Sequence, residues 1–516
     1  MLNAQRTSAL PHSPSHHPQP RILILGAGVS GIIAARTIHK HGHHNFLLVE
    51  AQPEIGGRLK SGTIGGHTIE HGANWIQGLD ARGLNGSTGF ADQSTYYREH
   101  CTEGDSETAN PILCLALKHG QKTVNNGLYG SMTTYSDTEG PVDYWSTIVA
   151  ADKAFEAVVN EAGAQIAKHG PDLSVRAAAS LSGWRPRTKY EQVADWLMWD
   201  FEYAQTPSET SWMASSWAHN FTFDLYGDDN FLNIDQRGYK HFLQAEAATF
   251  LLPEHIVYNA TVNSVDWAHA SVHSSNHYSD RSNHPSPVTV TLANGTTLTA
   301  DYVICTFSLG VLQNDEVEWV PRLPAWKREA IAAFTMATYA KVFVHFAGED
   351  RFWFDTEMAL YASSRRGRYP LWHVTMTGDD ALEISALSGA TEENVRANVK
   401  EILQNMFPNT TLPAFDLTYH DWAADPLFHG SYSNFPPSWE PDLHQNLRSS
   451  VGHGRLRWAG EAGSATWFGF LHGAYADGKA TALELIECIR HGDQCKDNFV
   501  PRPQGPGRAP VWPVLG

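Results

Sequence analysis

The stretch "RILILGAGVSGIIAARTIHKHGHHNFLLVEA" (21–51) constrains the fold more than any other part of the chain. Ile22–Leu25 is a short apolar run that stops at Gly26. Gly26, Gly28 and Gly31 then follow in the spacing G-x-G-x-x-G. A helical pattern continues to about Lys40, and "NFLLVE" reads as a second strand ending at Glu50. Glycines at this spacing let a backbone approach a pyrophosphate at a helix N-terminus, and an acid after the second strand is placed to hold a ribose hydroxyl. The glycine spacing alone is weak evidence. With both flanking strands and Glu50 it predicts a dinucleotide-binding βαβ unit.

The next segment favours FAD over NAD. "AQPEIGGRLKS" supplies Gly56, Gly57 and Arg58, a second backbone nest with a cation that can close over the pyrophosphate. "GGHTIEHGANWIQG" follows, and its Gly72-Ala73-Asn74-Trp75 is short, small and tightly turned. Near the other end, "RLRWAGE" reads as a strand ending in Gly460 and Glu461. "GFLHGAYADGKATALELI" reads as a small-residue helix whose N-terminus is free to face an anion or an electron-rich ring.

"TMATYAKVFVHF" (335–346) reads as a strand with one cation, Lys341, in an apolar run. Lysine is costly to bury. From the strand alone, a Lys341 that faces solvent or snorkels past an edge is the default.

The chain has 516 residues, which implies roughly two to four domains. Its net charge of −18 argues against nucleic acid or an anionic membrane surface as partner and favours a cationic ligand. The 27 His would weaken that attraction in acid. No apolar run is long enough for a membrane span. The first twenty residues are polar and Pro/His-rich, with no signal-peptide core. A soluble protein is therefore expected: cytoplasmic if the chain is complete, secreted if a leader was removed. Five N-x-[ST] sequons begin at Asn85, Asn220, Asn259, Asn294 and Asn409, and they matter only in the secreted case. Five Cys are too few for a disulfide scaffold, and none forms a C-x-x-C pair. Cys488 and Cys495 could close a small loop.

The fingerprint, the GGR and the GANW-like loop together resemble the flavin-containing amine oxidase family, closest to polyamine oxidases of the plant and fungal type. The likeness runs from about Arg21 to Cys495. It continues in family order through "DFEYAQTPSETS" (200–211), "DQRGYKHFL" (235–243), "DYVICTFSLGVLQND" (301–315), "YAKVFVHF", "ALYASSRRGRY" (359–369), "HGSYSNFPP" (429–437) and "GRLRWAGEAGSATWFGFLHGAYADGKATALEL" (454–485).

The resemblance implies an α/β fold: a Rossmann-like FAD-binding domain of the glutathione-reductase type with a discontinuous α+β substrate-binding domain. The FAD-binding pieces are expected at 21–115, 212–312 and 430–492, and the substrate-binding pieces at 116–211 and 313–429. The tail 1–20 is polar and the tail 493–516 irregular. Helical patterns in "VDYWSTIVAADKAFEAVVNEAGAQIAKHG" and "TEENVRANVKEILQNMF" suit a mixed layer over a sheet. Residues 80–107 look like an enlarged loop, and 268–286 like a Ser/His-rich surface insert without the paired spacing of a zinc site. No metal is expected.

The resemblance also implies residue roles. Cofactor contacts fall on Gly26, Gly28, Ser30, Gly31, Glu50, Gly57 and Arg58, on Gly72, Ala73, Asn74 and Trp75, and on Val262 at the adenine. Trp422, Glu461, Gly469 and Phe470 complete them. Lys341 matches the lysine that hydrogen-bonds a water near the flavin's reactive nitrogen, which reverses the default reading of that strand. Tyr432 and Phe470 match the two aromatics flanking the flavin face. The related plant enzyme carries Phe at the first and Tyr at the second, so here the hydroxyl changes sides. Tyr339 and Phe201 match tunnel-lining positions. Glu202 matches one acidic tunnel residue, whereas Gln77 stands where the second acid is expected. "GSATWFGF" lacks a flavin-attaching Cys, so noncovalent FAD is expected.

The implied reaction is oxidation of polyamines, whether spermine, spermidine or acetylated forms. Hydride passes to the flavin, water hydrolyses the imine, and O2 reoxidises the cofactor to give H2O2. Partners are then a small cationic amine and O2. The sequence does not fix the oligomeric state, and a monomer is the default. Two alternatives stay open: a flavin oxidase for another amine or an amino acid, and a flavin-binding interaction protein with little catalysis.

Overall fold

The structure is a computed structural model that describes residues 19–79, 97, 100–101, 109–125, 132–267, 287–346, 358–362, 369–370, 373–438, 440–491 and 495–501. Most of the enlarged loop 80–107 and the whole insert 268–286 lie outside the described residues.

The opening unit forms as its pattern predicts. Ile22–Leu25 is a strand, Val29–Lys40 a helix and Phe46–Val49 the next strand. These two strands pair in parallel and join a five-stranded sheet. Its order is 256–257, 46–49, 22–25, 302–305, 456–458, and every pairing is parallel. Parallel strands buried on both faces read as continuous apolar runs, and Ile22–Leu25 is entirely buried.

One face of this sheet carries the helices Val29–Lys40 and Leu471–His491, which pack closely. Small residues permit the approach: a Cβ on Gly478 would lie 2.4 Å from the Ser30 carbonyl oxygen. Ser30 Oγ donates to Ala474 O at 2.7 Å across the same contact. Arg36, buried in the first helix, bonds Glu246 at 3.0 Å and the Tyr475 hydroxyl. Lys118 and His119 reach the same carboxylate, so one acid ties three segments together.

A second group of sheets carries the other half of the molecule. The Tyr339–Phe346 strand sits between His373–Thr377 and Phe415–Thr418 in an antiparallel sheet. The amphipathic helix Glu392–Met406 covers it, packing Val395, Val399 and Met406 on Ala340, Val342 and Met376. Trp145–Ala167 forms the other expected helix.

The run 335–346 is not one strand. Thr335–Ala337 pairs with Tyr432–Asn434, and the chain breaks at Thr338 before Tyr339–Phe346 enters a different sheet. The cause is Ser431, whose hydroxyl accepts from Tyr339 N at 2.6 Å and donates to Tyr339 O at 2.8 Å. A side chain thus takes the two backbone groups that a neighbouring strand would have paired.

Two disulfides are present. Cys488–Cys495 closes the small loop that its spacing allowed, and Cys101–Cys114 is a pairing the spacing did not signal. Cys305 is free and buried in the central sheet. Residues 495–501 have no regular structure, yet Asn446 bonds Val500 in both directions and Phe499 stacks on Trp326. Among the described residues, no helix is long and apolar enough to cross a membrane.

Candidate cofactor and substrate site

The two halves of the molecule meet around one cavity of about 1010 Å³. That is the upper end of the roughly 300–1,000 Å³ usual for ligand pockets. Every residue proposed above for the cofactor or substrate lines it except Gly31.

Gly31 is glycine for the sake of the fold. A Cβ there would lie 2.0 Å from the Gly26 carbonyl oxygen, so any side chain would push the helix off the turn. Gly28 is different. Its φ of −75° suits any residue, and a Cβ would find its nearest neighbour 3.9 Å away at Gly57 Cα. Nothing among the described residues requires glycine at 28. The bare surface between Gly28 and Gly57 at the start of a helix is a cradle that a Cβ would partly fill, which fits a pyrophosphate seated on backbone N–H groups.

Glu50 lies at one end of this cradle. Its carboxylate accepts from Ala27 N at 2.6 Å and Gln52 N at 2.8 Å, and burial raises its pKa. Its own carbonyl accepts from Ala260 N, which brings Val262 to the same end. These residues fit the nucleoside part of FAD.

At the other end, Arg58 Nη1 donates to Glu461 Oε1 at 2.8 Å and to Ser431 O at 2.9 Å. Glu461 also accepts from Ser433 N and Oγ and from Gly469 N. The carboxylate therefore joins the GGR turn, the 429–437 segment and the last turn before the C-terminal helix. Trp422, buried, donates from Nε1 to His71 O at 3.3 Å.

Lys341 is buried, with 4% of its surface exposed. Its Nζ donates to Gly72 O at 2.5 Å and to Asn74 Oδ1 at 3.0 Å. The GANW turn is thus its acceptor set. That turn is sterically fixed, because a Cβ on Gly72 would lie 1.7 Å from the Arg58 carbonyl oxygen. Burial pulls the Lys341 pKa down to about 7, with Glu70 opposing. An amine near neutrality can take up and return a proton with little penalty.

Aromatic walls continue from here. Phe201 and Tyr339 meet edge to face at 6.2 Å between ring centroids, and Tyr339 and Tyr432 lie tilted at 5.9 Å. Tyr432 donates its hydroxyl to Glu202 O at 3.0 Å. Phe470 stacks on buried His472. Glu202 lies on the one-turn helix Asp200–Tyr203, which ends at Ala204 with a left-handed φ of 55°. Its carboxylate faces Gln77 Nε2 at 3.1 Å, and burial pushes its pKa up to about 7 against that hydrogen bond.

Several contributors were not foreseen from sequence. Asn110 caps the helix Pro111–Lys118 and donates to Gln77 O at 2.7 Å, fixing the strand that carries Gln77. Ser431 and Ser433 organise the Lys341 strand and Glu461. Asp152, Glu156, Asp228 and Asp229 also line the cavity, with Glu156 and Asp228 exposed. Asp152 and Glu156 stand four apart on one helix face, a signal legible in the sequence had that helix been placed at the site.

The chain is similar to known proteins. Residues 182–486 match the model of the flavin containing amine oxidoreductase family, and residues 24–84 match an NAD(P)-binding Rossmann-like domain. Polyamine oxidase 7 of Oryza sativa subsp. japonica is 30% identical, over 89% of this chain and 93% of its own. Polyamine oxidase 1 of Zea mays is 29% identical, over 91% of each chain. A redesigned putrescine oxidase has the same fold, with a TM-score of 0.65 at 18% identity, covering 91% of this chain and 99% of its own. The chain belongs to the flavin containing amine oxidoreductase family and is an FAD-dependent amine oxidase.

Proposed function

We propose that this oxidase acts on polyamines. The observation that carries the reading is Glu202: a half-buried carboxylate among aromatic rings, in a cavity whose lining also includes Asp152, Glu156, Asp228 and Asp229. A flexible chain with several ammonium groups matches acids spread along an aromatic channel, and the net charge of −18 favours its approach.

Bound FAD supplies a hydride acceptor for the carbon next to the reacting nitrogen and passes the electrons on to O2. The protein's task is then largely positioning. Tyr432 and Phe470 hold the reacting carbon, and Phe201 and Tyr339 continue the wall. Glu202 binds a distal ammonium, and Gln77 orients the Glu202 carboxylate. Lys341 exchanges a proton from Nζ while Gly72 O and Asn74 Oδ1 hold that nitrogen in place. Water hydrolyses the imine product, and reduction of O2 gives H2O2. We assign the cofactor half to 21–115, 212–312 and 430–492, and the substrate half to 116–211 and 313–429.

A peroxide-release assay over spermine, spermidine, acetylated polyamines, monoamines and amino acids tests the reading. Turnover of polyamines ahead of the others supports it. Turnover of monoamines or amino acids alone overturns it.

A further inference from the structure

We propose that Asn259, Asn294 and Asn409 carry N-linked glycans, acquired in the oxidising compartment where the two disulfides form. The spacing N-x-[ST] is common by chance, so the sequons alone carry little. Their setting in the fold separates them.

Asn294 lies at the tip of the hairpin joining Val288–Leu292 to Thr297–Ala300, and Asn294, Gly295 and Thr296 are all exposed. Its Oδ1 accepts from Thr296 N at 2.9 Å, so the oxygen and not the amide nitrogen holds the turn. Asn259 is exposed in a loop with a left-handed φ of 53°, and Thr261 is exposed too. Asn409 and Thr411 are exposed just beyond the helix Glu392–Met406. None of the three asparagines lines the cavity.

The first two sites share one corner. Ala293 N donates to Thr261 O at 2.8 Å, so the loops bearing Asn259 and Asn294 are bonded to each other. Beside them Val257 and Tyr258 expose 38% and 37% of their surface. A hydrated sugar at Asn259 would cover that apolar surface. The sequon at Asn220 is of another kind. It lies inside the helix Trp212–Tyr226, and its Thr222 is fully buried and bonded to His472. A glycan there would obstruct the packing of this helix. Asn85 lies outside the described residues.

The disulfides are the independent observation. Cys101–Cys114 and Cys488–Cys495 are both closed, which belongs to compartments where thiols are oxidised. Each forms when two thiols pass two electrons and two protons to a disulfide-carrying oxidant of that compartment. Glycosylation involves no redox change. The asparagine amide nitrogen bonds to C1 of an oligosaccharide held on a lipid diphosphate. The C1–O bond breaks toward the diphosphate, and the amide loses one proton.

The test uses the full chain secreted from eukaryotic cells. Enzymatic removal of N-glycans in ¹⁸O-labelled water should leave labelled Asp at 259, 294 and 409 and plain Asn at 220. Denatured without reductant, the protein should show one titratable thiol, Cys305. Asn259→Gln, Asn294→Gln and Asn409→Gln should each speed gel migration and leave kcat/KM unchanged. Unlabelled Asn at all three positions in folded, secreted protein overturns the proposal, as does modification of Asn220 alone. Five titratable thiols would remove its second support and overturn the compartment. Where a variant is not secreted, the wild-type peptide map decides.

Discussion

Gln77 and Glu202 face each other across the cavity. The Gln77 amide nitrogen lies 3.1 Å from one carboxylate oxygen of Glu202 and 3.4 Å from the other. A neutral amide thus meets the half-buried acid, where a second acid would have repelled it.

On the proposed function, the pair sets the affinity for charged substrates. A charge-assisted hydrogen bond is worth about 1.5–3 kcal/mol and a neutral one about 1 kcal/mol. Glu202→Gln should therefore lower polyamine kcat/KM by roughly 10- to 100-fold, mostly through KM. Because burial pushes the Glu202 pKa up to about 7, ammonium binding should strengthen as pH rises through 7. The same shift opposes folding. Stability from the proton on Glu202 is complete below its ordinary 4.5 and is lost as pH rises toward 7, a slope that Glu202→Gln removes. Gln77→Glu would set two carboxylates side by side, so one would hold a proton near neutrality. Its preference for spermine over acetylated forms should emerge only at higher pH. A pH series of kcat/KM on both substrates checks this, and an unchanged Glu202→Gln profile would contradict it.

Lys341→Met should keep the flavin and slow turnover by roughly 10²-fold or more, about 2.7 kcal/mol of transition-state stabilisation. The variant also leaves Gly72 O and Asn74 Oδ1 without their donor, so melting must be measured beside activity. In the wild type, the step that needs the neutral amine should speed up as pH rises through about 7, and this limb should vanish in the variant. Anaerobic stopped-flow bleaching and aerobic recovery of the flavin band identify the step. Wild-type rates in both would make Lys341 structural.

Gly28→Ala and Gly31→Ala should fail in different ways. At 31 the added methyl would lie 2.0 Å from backbone, so the fold itself should suffer. At 28 the nearest atom is 3.9 Å away and φ is ordinary, so the protein should fold and lose flavin. Circular dichroism and the flavin-to-protein absorbance ratio separate the two. A flavin-replete Gly28→Ala would mean that no ligand approaches that backbone.

The flavin should be noncovalent. Denaturation followed by filtration should carry the yellow colour through the membrane. Colour retained on the polypeptide would show an attachment that "GSATWFGF" does not foreshadow.

Much of the cofactor side was legible in the sequence because its determinants are local. Gly26, Gly28, Gly31 and Glu50 fall within one βαβ unit, and strand periodicity brackets them. The break at Thr338 was not legible, since it is made by Ser431, almost a hundred positions away and without any pattern of its own. The Arg58–Glu461 pair escaped for the same reason: each residue reads as a cofactor ligand within its own motif, and only the fold shows that they bond each other. Gln77 was noticed as a departure. Its hydrogen bond to Glu202, and the hold of Asn110 on its carbonyl, needed three dimensions.

The order of strands in the central sheet has a consequence for synthesis. The strand Leu456–Trp458 completes a sheet that begins at Ile22, and Glu461 closes on Arg58 only after some four hundred further residues have been made. A ribosome delivering this chain from its N-terminus must leave the flavin cradle open until Glu461 has been made. Early termination would strand the first βαβ unit without its far wall, with apolar sheet edges exposed to other chains. Flavin loading thereby waits for the segment around Glu461, and bound cofactor reports that this late segment has joined the first βαβ unit.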